Sequence, residues 1–336
     1  MTDETDSSLP CPNVALARRF AGARVLVTGA AGFIGRHVCE ALLAGGAEVC
    51  AIDDFSSGRR DALPGAIRLI EGDVADERAV FAAIAGCSHV FHLAALVSVP
   101  LSVEQPERCF RSNVTGTEVV LRMAVRAGAT AVVHASSAAV YGPEPTLPSR
   151  ESDVVSVASP YAATKAAGES LVQAFARAYG LHATSLRLFN VFGRGQDPKG
   201  AYSSAISAFV DAALARRPPV VFGDGSQTRD FVPVAEVVQA FLRAADAGSH
   251  AAGHVFNVAL GERVTLLEVI EMIGQAAGFE STPVFAPRRA GDVDHSCADL
   301  SKVRSVLGFA PTTTLAPALA RFVHACCREA RSESRS

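Results

Sequence analysis

An α/β fold, a parallel sheet wrapped by helices on both faces, is predicted by three observations. The first half of the chain alternates short apolar runs with helix-patterned stretches, as strand–helix–strand crossovers require. Three glycines, Gly29, Gly32 and Gly35, join the first apolar run, Val25-Leu26-Val27, to a helical stretch opening near Phe33. An acid, Asp53, closes the second run about 20 residues further on. Together these predict a Rossmann-type doubly wound sheet. Glycines let backbone approach a pyrophosphate closely, a helix start presents N–H groups to its charge, and the acid accepts the adenosine ribose hydroxyls. An acid at that position repels a 2′-phosphate, so NAD is favoured over NADP.

Strands are expected at 24–28, 47–52, 66–71, 88–92 and 131–135, with helices at 33–45, 76–85 and 104–128. Right-handed crossovers place the carboxyl ends of such strands along one edge, where ligands bind. The chemically suggestive residues fall there: Gly29 to Gly35, then Asp53, Asp73, Leu93-Ala94-Ala95 and Ser136-Ser137. Residues 143–159 read as a loop over that edge. Ser159 caps and Pro160 opens a helix that Gly180 ends. A sixth strand is expected at 182–188. Beyond it the pattern changes: 190–205 is loop-rich, helices are expected at 203–216, 234–247, 265–277, 299–307 and 315–328, and strands at 219–222, 254–258 and 283–285. The implied organisation is a disordered leader over 1–20 and a dinucleotide-binding domain over 21–189, to which about 234–260 returns. A smaller, discontinuous C-terminal α/β substrate-binding lobe covers most of 190–328, and 329–336 forms a flexible tail.

With 336 residues, 49% of them hydrophobic, and a net charge of −3, the chain can bury a sizeable core. It lacks the basic surplus of a nucleic-acid binder. No stretch approaches the ~20 apolar residues of a membrane span. The acidic, polar N-terminus is no signal peptide. Eight cysteines without a C-x-x-C pair read as free thiols in a reducing, cytoplasmic setting. His89, His92, His134 and His295 form no ligand-spaced cluster, so no metal is expected.

Tyr161 and Lys165 stand four apart and share a helix face. A phenol titrates near ~10, too high for a base at neutral pH. A neighbouring ammonium and a cationic nicotinamide both favour the phenolate, which makes the pair a general base and acid beside a hydride acceptor. Ser137, ending the fifth strand, is placed to share the substrate proton.

From about residue 24 to 325 the chain resembles the extended short-chain dehydrogenase/reductase superfamily, in its sugar-nucleotide epimerase/dehydratase branch. The resemblance is carried by Thr28-Gly29-Ala30-Ala31-Gly32-Phe33-Ile34-Gly35, by Ala135-Ser136-Ser137-Ala138-Ala139-Val140-Tyr141-Gly142 and by Tyr161-Ala162-Ala163-Thr164-Lys165. Leu186-Arg187-Leu188-Phe189-Asn190-Val191-Phe192-Gly193 and Gly291-Asp292-Val293 add to it. It implies catalysis by Ser137, Tyr161 and Lys165 on bound NAD. The cofactor set it implies includes Phe33, Ile34, Asp54, Ser57, Val74 and Asn113 beside the residues already named. Dehydratases of the branch carry Asp-Glu where this chain has Ala138 and Ala139, and decarboxylases carry Glu at the second position. The resemblance therefore implies a 4-epimerase working through a transient 4-keto sugar. It also implies a UDP-sugar site of Ser98, Asn190, Val221, Phe222, Arg229, Arg289, Asp292 and Ser296, and a homodimer built on helices near 104–128 and 160–179.

Three segments resemble UDP-N-acetylglucosamine 4-epimerases in particular: 94–100, 190–198 and 291–296. Ser296 falls where a bulky tyrosine restricts the pocket to glucose and galactose; serine leaves room for a 2-acetamido group. Arg194-Gly195 and Leu188 depart from the branch's common pattern, in which Pro-Arg and Tyr are usual. A 4-ketoreductase, a UDP-glucuronate 4-epimerase and a cofactor-sensing regulator stand as alternatives.

Overall fold

The computed structural model describes residues 13–196, 204–288 and 293–333. The chain opens with α1 (Val14–Ala17) and runs through β1 (Arg24–Thr28), α2 (Phe33–Ala44), β2 (Glu48–Asp53), β3 (Arg68–Glu71), α3 (Glu77–Ile84) and β4 (His89–His92). It continues through α4 (Val99–Glu104), α5 (Pro106–Phe110), α6 (Gly116–Ala127), β5 (Ala131–Ser137), α7 (Pro160–Tyr179) and β6 (His182–Leu188). Next come β7 (Asn190–Phe192), α8 (Ala205–Leu214), β8 (Val220–Phe222), β9 (Thr228–Arg229), β10 (Phe231–Pro233), α9 (Val234–Asp246) and β11 (Val255–Val258). The last elements are β12 (Val264–Thr265), α10 (Leu266–Ala277), β13 (Val284–Ala286), α11 (Ser301–Leu307) and α12 (Leu315–Glu333).

Seven strands form one parallel sheet in the order β3-β2-β1-β4-β5-β6-β11. Its strands are buried on both faces, as their near-continuous apolar sequences demand: Val25, Leu26 and Val27 are all fully buried. On one face Val25 and Val27 join α2, α9 and the smaller lobe in a single core. On the other, Leu26, Ile52 and Val90 pack against α3 and α6. The chain winds outward from β1 to β3, then returns to start β4 on the other side of β1. That reversal opens a crevice between the ends of β1 and β4.

The smaller lobe holds three two-stranded ribbons: β7 with β10, β8 with β13 and β9 with β12. Helices α8, α10 and α12 pack together there. A capping box, in which Thr265 and Glu268 each accept the other's backbone N–H, fixes the start of α10. Between β10 and β12 the chain comes back to the large sheet, with α9 against α2 and β11 as the seventh strand.

Four expectations are corrected. The single helix at 104–128 is three helices, and it starts earlier, at Val99. Pro106 has no N–H to continue α4, and residues Arg111–Thr115 form a π turn before α6. The leader expected over 1–20 is helical from residue 14, because Ala17 and Phe20 insert into the main core. The tail expected from 329 is helical to Glu333. Residues 190–192, expected as loop, form β7. No helix among the described residues is long and apolar enough to cross a membrane, and none of their His, Cys, Asp and Glu side chains gathers into a metal-binding group.

Candidate active site

The glycine turn is built for close approach. Gly29 has φ +65°, a left-handed conformation, and a Cβ on it would lie 2.7 Å from the amide nitrogen of Ala94. The turn after β1 and the turn after β4 therefore touch at the crevice. A Cβ on Gly35 would stand 2.1 Å from the Gly29 carbonyl oxygen, so helix α2 starts hard against the turn. Gly32 is the N-cap of α2, with no side-chain cap and no acid in the first turn. The helix start is thus left for an external anion.

Asp53, 7% exposed, accepts from Ala31 N at 2.8 Å and from Phe55 N at 2.8 Å. Burial raises its pKa against those two bonds. The carboxylate holds the glycine turn and the post-β2 loop together. The exposed Asp54 accepts from Ser56 N, and Ser57 is exposed beside it. Asp73 accepts from Ala75 N and pairs with Arg111, while Val74 is buried against Gly116. Leu93 and Ala94 donate to the Thr28 hydroxyl at 3.2 and 3.1 Å; Ala95 is half-buried, as are Phe33 and Ile34. Asn113, expected at the cofactor, is buried at the turn after β4. Its amide is engaged with Leu96 N, Leu96 O and Thr164 Oγ1, so it fastens the post-β4 turn to α7.

Tyr161, Lys165 and Ser137 converge where β5 meets α7. Ser159 caps α7 by accepting from Ala162 N, and Pro160 occupies its first turn. The Tyr161 phenol faces the Ser137 side chain. Lys165 donates from Nζ to the Ala135 carbonyl at 2.7 Å, and its Nζ stands 5.9 Å from the Tyr161 ring centre. Burial raises the phenol's pKa, and the neighbouring Ser137 opposes that only in part. The lysine's own pKa is lowered to about 8 by burial. In the protein alone the phenol is held in its acid form.

The residues expected at the substrate are dispersed more widely. Ser98 is buried and caps α4 by accepting from Leu101 N. Asn190 is exposed on β7, and its N–H donates to Asp230 O. Val221 is 1% exposed and belongs to the main core, whereas Phe222 beside it is half-buried. Arg229 donates from Nη1 to the carbonyls of Thr228 and Asp294. The Ser296 hydroxyl is buried without a hydrogen-bond partner among the described residues. Arg289 and Asp292 lie outside the described residues. Gly195, a departure from the branch's pattern, has φ +76°, a left-handed conformation that other residues rarely adopt.

Several residues next to this site are given no role by the sequence motifs. Ser136, Glu169, Arg187, Tyr141 and Asn257 form a buried polar chain. Glu169 extends the Tyr161, Lys165 series by four more residues, and that spacing alone could have found it.

A glycine cradle at the sheet's switch point and a tyrosine–lysine helix packed on the neighbouring strand define a dinucleotide-binding enzyme of proton and hydride transfer. The chain belongs to the NAD dependent epimerase/dehydratase family, which residues 25–259 match. It is 40% identical over 307 residues to a UDP-glucose 4-epimerase of Mycolicibacterium smegmatis, covering 89% of this chain and 97% of that one. It superposes with a TM-score of 0.87, at 34% identity, on the UDP-N-acetylglucosamine 4-epimerase of Methanobrevibacter ruminantium, covering 92% and 99% of the two chains. The UDP-glucose 4-epimerase of Thermus thermophilus, solved with NAD, gives 0.81 at 34% identity, covering 90% and 98%.

Proposed function

We propose that this protein is a NAD-dependent UDP-sugar 4-epimerase acting on UDP-GlcNAc and UDP-GalNAc, with UDP-glucose and UDP-galactose as further substrates. One observation carries the reaction type. The Tyr161 phenol faces Ser137, and the turn that follows presents Ala138 and Ala139, half-buried and without a carboxyl, where elimination needs acids and bases. The acetamido preference rests on Ser296, a small residue whose buried hydroxyl has no hydrogen-bond partner among the described residues.

The cradle fits a dinucleotide: side chains at Gly29 and Gly35 would fill it, and the α2 start is uncapped. Gly29, Gly32, Phe33, Ile34 and Gly35 hold the pyrophosphate, Asp53 the adenosine ribose, and Tyr161 and Lys165 the nicotinamide end. Bound there, oxidised nicotinamide supplies a hydride acceptor and a positive charge. Tyr161 takes the proton of the C4 hydroxyl and later gives it back. Ser137, beside the phenol, shares that proton. Lys165, tied to Ala135, keeps a cation one helical turn from the tyrosine. Val103 and Phe110, exposed on α4 and α5 next to α7, support a homodimer through these helices. The buried free thiols of Cys39, Cys50, Cys87 and Cys109 suit a reducing cytoplasm.

The test is direct. Purified protein is incubated with UDP-GlcNAc, UDP-glucose and UDP-glucuronate without added cofactor, and the epimers are resolved by NMR. Conversion of UDP-GlcNAc supports the reading. Stoichiometric consumption of added NADH would mark a ketoreductase instead, and conversion of UDP-glucose alone would refute the acetamido preference.

A further inference from the structure

The end of β5 meets α7 through three consecutive residues. Ser137 faces the Tyr161 phenol, Ser136 Oγ donates to Glu169 Oε1 at 2.6 Å, and the Ala135 carbonyl accepts from Lys165 at 2.7 Å. Their partners, Tyr161, Lys165 and Glu169, are spaced by four and lie along one face of the helix. Gly168 permits the close packing, since a Cβ there would meet the His134 ring at 2.8 Å. Glu169 is in turn gripped from β6. Arg187 donates from Nε and Nη2 to its two oxygens at 2.9 and 2.8 Å, and both side chains are almost fully buried. The Arg187 guanidinium lies 4.7 Å from the Tyr141 ring centre. Tyr141 donates to Asn257 Oδ1 at 2.7 Å, and Asn257 donates to Ser149 O and, from its backbone, to the Glu151 carboxylate.

We propose that Glu169, locked by Arg187, is a positioning residue for the Tyr161–Ser137 pair and the charge partner that keeps Lys165 cationic in its buried setting. The inference rests on the epimerase reading for its kinetic arm only.

The geometry explains why a carboxylate serves here. One oxygen is shared between Ser136 and Arg187 and the other is held by Arg187 alone, so the group ties strand β5 to strand β6 across the helix. A rigid connection of this kind fixes how far α7 is slid along β5, and hence whether phenol and serine meet. Misplacement of a reacting group by about 1 Å costs on the order of a hundredfold in rate. The charge matters separately. The groups facing Lys165 are Tyr161 and Glu169 on its own helix, Cys109 on α5, His134 on β5 and His92 on β4. Burial keeps both histidines neutral and raises the pKa of the Cys109 thiol, so Glu169 is the anion among them. Lys302 and Glu151 face the far side, toward Arg187 and Tyr141.

The test uses the fact that Lys165, Lys199 and Lys302 are the lysines of the chain. Selective labelling with 13C-lysine lets the Lys165 side-chain carbon be titrated by NMR without reference to activity. In Glu169→Gln the Lys165 transition should move to lower pH. In turnover, kcat should fall by about tenfold to a hundredfold, the alkaline limb of the pH–rate profile should move the same way, and KM for the UDP-sugar should stay within about twofold of wild type. Ser136→Ala removes the strand–helix bond while leaving the charge. It should lower kcat without moving the Lys165 titration, and it covers the case in which Glu169→Gln does not fold. A Glu169→Gln protein with the wild-type Lys165 titration and an unshifted profile would overturn the charge role. A Ser136→Ala protein with wild-type kcat would overturn the positioning role. A wild type that epimerises no UDP-hexose would defeat the functional reading, while the lysine titration would still decide the charge role.

Discussion

Gly35→Ala sets two known effects against each other. Alanine is a better helix former than glycine by about 1 kcal/mol, so propensity alone predicts a stabilised α2. The structure predicts the reverse. The added Cβ would stand 2.1 Å from the Gly29 oxygen and 2.9 Å from Ala30 Cα. Non-bonded carbons rest about 3.5 Å or more apart, so the helix start must retreat by roughly 1 Å. Both obstructing atoms are backbone and cannot rotate away. Overpacking of this kind costs about 1–3 kcal/mol, which outweighs the propensity gain through most of that range. The same retreat withdraws the α2 amides from the proposed pyrophosphate. Urea unfolding should show a net loss of up to about 2 kcal/mol, and the purified variant should carry little releasable NAD by ultraviolet absorbance. Gly32→Ala is the control: its Cβ would lie 3.2 Å from the same oxygen at φ −72°. Stability should therefore stay near wild type while the methyl group weakens cofactor retention. A Gly35→Ala protein that gained about 1 kcal/mol and kept its dinucleotide would refute the close-approach argument.

Tyr161→Phe should retain NAD and fold normally but lose about 10²–10⁴-fold in kcat; full activity in a stopped NMR assay would remove the phenol from the mechanism. Ser296→Tyr should abolish UDP-GlcNAc turnover and spare UDP-glucose, measured as the ratio of the two kcat/KM values; an unchanged ratio would detach residue 296 from specificity. Asp230 is fully buried, accepts from Leu260, Gly261 and Ala298 N–H groups, and has its carboxyl pushed up to about 7 by burial. Between its ordinary 3.8 and about 7 the folded protein holds the proton that the unfolded chain releases. This group's stabilising contribution is therefore complete below that window and declines as pH rises through it. Asp230→Asn should flatten that decline in urea titrations at pH 5 and pH 8; an unaltered slope would assign the dependence elsewhere.

What was legible in the sequence followed local rules. Val25 to Val27, the three glycines and the Ser159-Pro160 helix start each declare themselves through short-range chemistry, and the observed elements follow within a residue or two. The small ribbons were not legible. Asn190–Phe192, Thr228–Arg229 and Val264–Thr265 are two or three residues long and exist because a distant partner completes them. The helix at 104–128 misled because its apolar spacing continues straight through Pro106. The site was legible as residue types but not as pairings. Tyr161 and Lys165 were found by spacing, yet the lysine binds the Ala135 carbonyl, and the tyrosine's neighbour is Ser137. The internal partners of Asn113, Leu96 and Thr164, were likewise not readable from spacing.

The pairing of β7 with β10 has a consequence for how such a molecule can change. These strands mark the places where the chain departs from the large sheet and comes back to it, and they run side by side in parallel. The excursion between them therefore begins and ends at neighbouring points, so lengthening it adds only slowly to the entropy of closing it. Segments of the smaller lobe can be exchanged there like an interchangeable cassette, while helix α7 with its tyrosine and the strand ends bearing the serine and the glycine cradle stay in register.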